Sequence, residues 1–330
     1  MVKKTLILIL CLFVCLSSLA ESQAEHSPYL ERQEVKDYIS YLSSKHDLEE
    51  SMILELFSHA SHQEKVIRIM NSQPEGTWTW SKYRKKIVED KSRLESGKQF
   101  IETYKEELLK AEDLYGVPAE IIASIIGIET RYGKVTGNTL VLDSLMTLSF
   151  DYPRREKFFK VQLEEFLLLS FEENLDPLSV KGSIAGAMGY GQFMPDSYRK
   201  YAVDFDQDGT RDILNNPIDA IGSVANFLSK KGNWKPNTPI AVKAKKIKED
   251  VKFRSSFKPY LTSINLEQIG LKPLEDVVGN LKFVPVELSL EERKEYWLGF
   301  DNYHSLSRYN RSKFYIMAVF EFSKDLSQFF

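Results

Sequence analysis

Apolar residues recur at helical spacing from Glu34 to Met70, as at Ile53, Leu56, Phe57 and Ala60, the period that gives a helix one buried face. Asp47 stands where a cap would open a Leu48–Ala60 helix. Gln73-Pro74-Glu75-Gly76 then breaks the pattern. The run Trp78-Thr79-Trp80-Ser81-Lys82-Tyr83-Arg84-Lys85-Lys86 reads as a basic helix start with its aromatics turned inward. Residues 92–115 form a long amphipathic helix ending near Tyr115-Gly116. Pro118 fits the first turn of the next helix, where a missing N–H costs nothing. That helix runs through Ile121, Ile122, Ile125, Ile126 and Ile128 to about Tyr132 and is closed by Gly133. Leu140–Ser149, Arg155–Glu173 and Ala220–Leu228 are further helices, and residues 182–195 form a Gly-rich turn region. After Asn237 the character changes. Ile240–Ala244, Tyr260–Ser263, Phe283–Glu287 and Tyr296–Phe300 are short, β-rich and separated by Gly, Pro and Asn. A helix returns at Ser312–Leu326. The pattern therefore predicts a mainly α (α+β) chain, a helical body with a small β lobe, and no internal repeat.

Composition narrows the function classes. Hydrophobic residues make up 43% and charged residues 28% of the 330, as in a folded soluble protein. A net charge of −3 gives no chain-wide basic footprint for nucleic acid. Both cysteines, Cys11 and Cys15, lie in a segment that reads as a secretory signal. Lys3 and Lys4 supply the positive start, Thr5–Leu16 the apolar stretch, and Ser18-Leu19-Ala20 or Ser22-Gln23-Ala24 the cleavage site. Cleavage after Ala20 moves the charge from −3 to −5 and removes every thiol, so no cysteine nucleophile, disulfide or thiolate metal site is expected. Export to the periplasm follows. The alternatives are a lipoprotein acylated at Cys15, though Phe13-Val14 before it is bulky, and an uncleaved N-terminal anchor.

Glu129 is the most informative single residue. It follows the apolar turn Ile125-Ile126-Gly127-Ile128, and a carboxyl carried by so greasy a helix is desolvated and its pKa raised. That is the property a general acid needs near neutral pH. A buried Glu paired with Arg131 or another base is the structural alternative. The second signal is Ser183-Ile184-Ala185-Gly186-Ala187-Met188-Gly189-Tyr190-Gly191-Gln192-Phe193-Met194-Pro195. Its glycines let backbone approach a ligand closely. No Gly-Lys-Ser/Thr follows and no β-rich run precedes, so neither a P-loop nor a dinucleotide fingerprint is present. The third is Asp204-Phe205-Asp206-Gln207-Asp208-Gly209-Thr210, the opening of an EF-hand-type loop whose twelfth position is Asn215 and not Glu. An Asx-rich turn without a tight ligand is the alternative there. The five His residues are scattered without a His-Glu-x-x-His pattern, and His59 with His62 reads as a helix-surface pair.

Together, Gly127-Ile128-Glu129-Thr130-Arg131-Tyr132-Gly133 and Gly186 to Pro195 resemble the catalytic helix end and cleft loop of the B-type lytic murein transglycosylases. Tyr83-Arg84-Lys85-Lys86, Tyr152-Pro153-Arg154-Arg155, Asp219-Ala220-Ile221-Gly222-Ser223 and Tyr309-Asn310-Arg311-Ser312 continue the resemblance in order, over roughly residues 30–325. The resemblance implies a lysozyme-like helical core, an added helical domain and a small β lobe. It implies non-hydrolytic cleavage of the β-1,4 bond between N-acetylmuramic acid and N-acetylglucosamine, giving 1,6-anhydro ends. Glu129 would be the sole acid/base, with Ser183 orienting it. Gln192, Tyr83, Tyr309, Asn310 and Tyr315 would line the sugar subsites, and Arg154 and Arg155 would hold lactyl or peptide carboxylates. Phe227 stands where the family often has Tyr, and Tyr132 where it often has Trp. A structural Ca²⁺ is implied at Asp204, Asp206, Asp208, Thr210 and Asp219 within the loop 204–219, which is one residue longer before Asp219 than the family's. No catalytic cofactor is implied. The corresponding domains are a signal peptide (1–24), an N-terminal helical domain (25–105), a catalytic core (106–236), a β lobe (237–308) and a C-terminal helix completing the cleft (309–330). The expected partners are peptidoglycan glycan strands and cell-wall synthesis complexes, with the enzyme itself a monomer. The competing readings are a hydrolytic muramidase on the same core and a non-catalytic peptidoglycan-binding or scaffold protein.

Overall fold

The computed structural model describes residues 27–72, 78–250, 252–276 and 281–330. The signal segment, both cysteines and the Gln73–Gly76 breaker lie outside the described residues. Helices α1 (Gln33–His46), α2 (Glu50–Ser58) and α3 (Glu64–Asn71) open the chain, followed by α4 (Trp80–Ile87) and the long α5 (Lys91–Tyr115). Asp90 caps α5 by accepting from the Ser92 and Arg93 amides, and Gly116 closes it with φ 71°. Helix α6 (Ala119–Thr130) follows. A two-residue strand β1 (Thr139–Leu140) leads into α7 (Val141–Phe150) and α8 (Glu156–Glu172). Strand β2 (Lys181–Gly182) pairs back on β1 and opens the Gly-rich loop, which ends in α9 (Pro195–Tyr201). Helix α10 (Pro217–Lys230) ends the helical body.

The lobe after Asn237 is a four-stranded antiparallel sheet. Strands β3 (Ala241–Lys246), β4 (Leu271–Pro273), β5 (Val284–Ser289) and β6 (Lys294–Gly299) stand in the order β4-β3-β6-β5, with the short α11 (Leu266–Ile269) before β4. One face buries Val242, Leu271, Phe283 and Leu298 in a core of its own. The other turns Val284, Val286, Leu288 and Trp297 into the main helical core. Helices α12 (Asp301–Tyr309) and α13 (Lys313–Leu326) return the chain to the body.

Helix α6 is the centre of that body. Ile121, Ile122, Ile125 and Ile126 are 2% exposed or less, and each such side chain stabilises the fold by roughly 1.5–3 kcal/mol. Ser124 donates to the Val319 carbonyl at 2.9 Å and ties α6 to α13. The N-terminal helices are pinned to α7 by polar contacts: Tyr29 and Arg32 donate to Asp151 at 2.8 and 2.6 Å, and the Ser61 amide donates to Asp143 at 2.9 Å.

Several local expectations change. Asp47 does not open α2; it ends α1 with φ 54°, and Glu49 holds the cap position of α2. Pro118 is the cap of α6, one place before its first turn, and α6 stops at Thr130 because Arg131 is left-handed. Tyr260–Ser263 forms a single bridge from Leu261 to Phe283 and then a 3₁₀ turn, because Thr262 and Asn265 close a capping box that ends the extended run. Helices α9 and α12 were not legible in the pattern.

Candidate active site

The end of α6 is built as a clamp. Arg131, Tyr132 and Gly133 take φ of 52°, 60° and 82° in succession, which turns the Tyr132 ring back beneath the helix. A Cβ on Gly97 of α5 or Gly127 of α6 would lie 2.5 Å from the Tyr132 hydroxyl, so both glycines exist to admit that ring. The buried Arg93 guanidinium donates to the Gly127 carbonyl at 3.1 Å and to the Ile87 carbonyl. Thr130 donates to the Tyr190 carbonyl at 2.9 Å and accepts from the Gly133 amide at 3.0 Å, fixing α6 to the Gly-rich loop. Glu129 sits between these anchors.

Arg131 does not neutralise Glu129. It pairs with Asp90 at 2.5 Å instead, and no cation among the described residues pairs with the Glu129 carboxyl. Burial therefore acts unopposed by charge and pushes the Glu129 pKa up to about 7, with Tyr315 drawing it down slightly. Among the described residues no second carboxyl group lies close enough to perturb it. The residue keeps part of its surface open to solvent, although its carboxyl is deep in the protein. The Tyr315 hydroxyl faces that carboxyl in a contact that falls short of full hydrogen-bond geometry, which leaves the hydroxyl formally unsatisfied. Burial and then the negative Glu129 hold both Tyr309 and Tyr315 far above the usual phenol range, so both stay protonated. Their rings stack 8° from parallel with centroids 6.4 Å apart, and Tyr309 donates to the Gly191 carbonyl at 2.5 Å. Tyr83 reaches the same cluster, where its phenol adds to the raised pKa of Tyr315. It packs on Trp80 and Phe314 at 6.2 and 5.7 Å.

The Gly-rich loop folds on itself through paired Met188 and Phe193 backbones at 2.9 Å. The Ser183 oxygen accepts from the Ala185 and Ala187 amides at 3.3 and 3.0 Å. Among the described residues it makes no hydrogen bond to Glu129 and donates to no protein group. Gln192, at φ 50°, donates to the Thr136 and Gly189 carbonyls at 2.9 and 3.0 Å. Phe227 packs edge-on to Tyr309 at 4.9 Å, so the aromatic wall survives without a hydroxyl there. Asn310 ends α12 in extended conformation next to Tyr309. Arg154 and Arg155 stand apart, exposed in a pocket with Met70, Asn71 and Tyr152 that includes none of the Glu129 cluster.

In the acidic loop, carboxylate oxygens of Asp204, Asp206 and Asp219 come within 4.8 Å of one another. Asp219 is wholly buried and accepts from the Phe205 and Asp212 amides at 2.7 and 2.8 Å. Asp208 accepts from the Thr210 amide at 2.8 Å and is not one of the three converging carboxylates. Sequence reading missed Arg93, Thr130 and Asp90. Only Asp90 carried a signal, a capping residue just before the α5 pattern.

The sequence profile of the transglycosylase SLT domain matches residues 31–324. The chain belongs to the SLT transglycosylase family. It is 39% identical over 295 residues, 87% of this chain and 80% of the other, to membrane-bound lytic murein transglycosylase B of Escherichia coli K12. A lytic transglycosylase SltB1 structure from Pseudomonas aeruginosa matches with a TM-score of 0.85 and 36% identity, covering 90% of this chain and 98% of that one. The Escherichia coli lytic transglycosylase Slt35 in complex with calcium matches with a TM-score of 0.85 and 37% identity, covering 92% and 95%. This transglycosylase is thus an enzyme of the lytic type with a lysozyme-like, mainly α fold, as the motifs implied.

Proposed function

We propose that the enzyme cleaves the N-acetylmuramic acid to N-acetylglucosamine β-1,4 bond of peptidoglycan without water, with Glu129 as sole acid and base. The observation that carries this reading is a buried carboxyl pushed up to about 7 by desolvation, with no ion pair and no second carboxyl beside it among the described residues. Hydrolytic glycosidases need a second carboxylate as nucleophile or base. Protonated Glu129 gives its proton to the glycosidic oxygen, and the bond from C1 to that oxygen breaks. The muramoyl O6 hydroxyl then closes on C1 and returns its proton to Glu129. No atom enters from solvent, and the carboxyl ends as it began. The Tyr315 hydroxyl, buried and protonated, is the donor toward the carboxylate formed midway, while Tyr309, whose proton is held by the Gly191 carbonyl, stacks on it and fixes its position. Tyr83, Ser183, Gln192 and Asn310 line the sugar path, and Arg154 and Arg155 receive carboxylates farther along it. Digestion of purified sacculi in oxygen-18 water tests this. Unlabelled anhydro-muropeptides are expected; products carrying the label at C1 would establish a muramidase instead, and no product would leave a binding protein.

The trio of carboxylates fits a hard cation. One oxygen set is fixed by buried Asp219, and a divalent charge would relieve the repulsion that Asp204 and Asp206 impose on Asp219. We assign it a structural Ca²⁺ remote from Glu129. A ligand bound only to the folded state stabilises it by about 2.7 kcal/mol at a hundredfold excess over Kd, so Ca²⁺ should raise Tm by roughly 5 °C. Asp206→Ala should abolish that gain in a thermal melt. An equal rise in the Asp206→Ala protein would refute the site. The same reading places the mature enzyme in the periplasm, acting on glycan strands as a monomer. Among the described residues no helix is long and apolar enough to cross a membrane.

A further inference from the structure

A second polar concavity, of 340 Å³, lies where the end of α10, the start of α12 and the 258–259 and 282 segments of the β lobe converge. Lys231, Lys235, Lys258, Lys282 and Arg308 line it, opposed by Asp301 alone. They come from four separate stretches of chain, all five are exposed, and none forms an ion pair among the described residues. Like charges gathered from distant segments repel one another, and the chain as a whole carries a net −3. The concentration of cations here is therefore local. His304 also lines the basin, and burial, then the charges of Arg308 and Lys258, hold its imidazole below its usual pKa while Asp301 pulls the other way. The basin also has an address. Arg308 immediately precedes Tyr309 on α12, and His304 lies five residues before it, about 7.5 Å of helix rise. One short helix thus carries the basin on its earlier turns and a wall of the Glu129 site on its last residue.

We propose that this basin takes the carboxylates of peptide stems on the glycan strand being cleaved, and so selects strands that still bear their stems. The inference rests on the peptidoglycan reading above. Its cavity is too roomy for one compact oxyanion, and its charges are spread over several walls, which suits a flexible chain with more than one carboxylate. Phosphate headgroups of a lipid surface are the competing source of negative charge.

The test reads binding, so that turnover does not enter. In the full-length Glu129→Gln protein, fluorescence anisotropy is measured with labelled soluble glycan strands, stem-bearing or stripped by an amidase. Adding Lys258→Gln and Arg308→Gln together is expected to weaken binding of stem-bearing strands about tenfold and to leave stripped strands unchanged. A second pair, Lys231→Gln with Lys282→Gln, should repeat the result from the opposite wall, and matching melting curves confirm that both proteins are folded. Unchanged affinity for stem-bearing strands, or equal loss on both kinds, overturns the proposal. So does phosphatidylglycerol-vesicle sedimentation that the parent shows and the basin variants lose, which reassigns the basin to lipid. Failure of the transglycosylase reading would show separately, as absence of anhydro product from the unsubstituted enzyme.

Discussion

Replacing Glu129 by Gln is expected to cut lytic turnover at least about a hundredfold and, above pH 7, to give a protein more heat-stable than its parent. Gln fills the same space but cannot supply a carboxylic proton, so the glycosidic oxygen leaves unprotonated. The stability change has a definite sign. Folding raises the Glu129 pKa from its ordinary 4.5 to about 7, which means that the folded state disfavours the charged form. Below the ordinary value both states are protonated and burial costs nothing. The cost grows as pH rises through the interval and is complete above the folded pKa. Gln titrates in neither state. The difference in Tm between the two proteins should therefore open from pH 4.5 to 7 and stay level beyond. Wild-type turnover in the folded Gln variant, or a Tm difference independent of pH, would refute the assignment.

The second large effect is expected at Gly189. Its φ is +70°, and a Cβ there would lie 2.2 Å from the Ile213 carbonyl oxygen, which already accepts from the Tyr190 amide at 3.1 Å. That oxygen is the backbone of fully buried Ile213, tied to the Tyr190 amide, and cannot step aside without moving the turn. Gly189→Ala should lower stability by about 3 kcal/mol or more, a fall in Tm of roughly 6–12 °C. It should also reduce activity at temperatures where the protein remains folded, because Gly191 and Gln192 ride on the same turn. Gly209 is the control. It has φ +96° with nothing within 4 Å of a built Cβ, so Ala there carries only the cost of the left-handed backbone, about 1 kcal/mol. Equal Tm changes at the two positions would show that the collision with Ile213 is relieved elsewhere.

How much of this was legible beforehand depended on where the sequence commits itself locally. Helix α6 was, because an unbroken apolar turn leading to one carboxyl admits few placements. Helix α5 was too, with Tyr115-Gly116 marking its end, although its Asp90 cap was not read. Helix α12 was not: residues 301–309 are mostly polar, and Phe300 at its cap offers no side-chain oxygen. Its position is set from a distance, by buried Asn302 bonding both the Lys235 amide and its carbonyl at 2.8 Å. Helix α9 begins on a Pro and is positioned by Gln162 of α8, which accepts from the Asp196 amide at 3.2 Å. The same limit applied at the site. Glu129 and the Gly-rich loop carried signals in their own residues. The exchange of Arg131 from Glu129 to Asp90 could be read only once α5 and α6 lay side by side. That exchange is what leaves the carboxyl uncompensated.

The central claim is that desolvation keeps the Glu129 carboxyl protonated to near-neutral pH, ready to act as acid and then base. Carbon-13 NMR of the side-chain carboxyl, assigned by its loss in the Glu129→Gln protein, reads that state directly. A titration midpoint near 7 is the result this account predicts, and one near the ordinary 4.5 would contradict it.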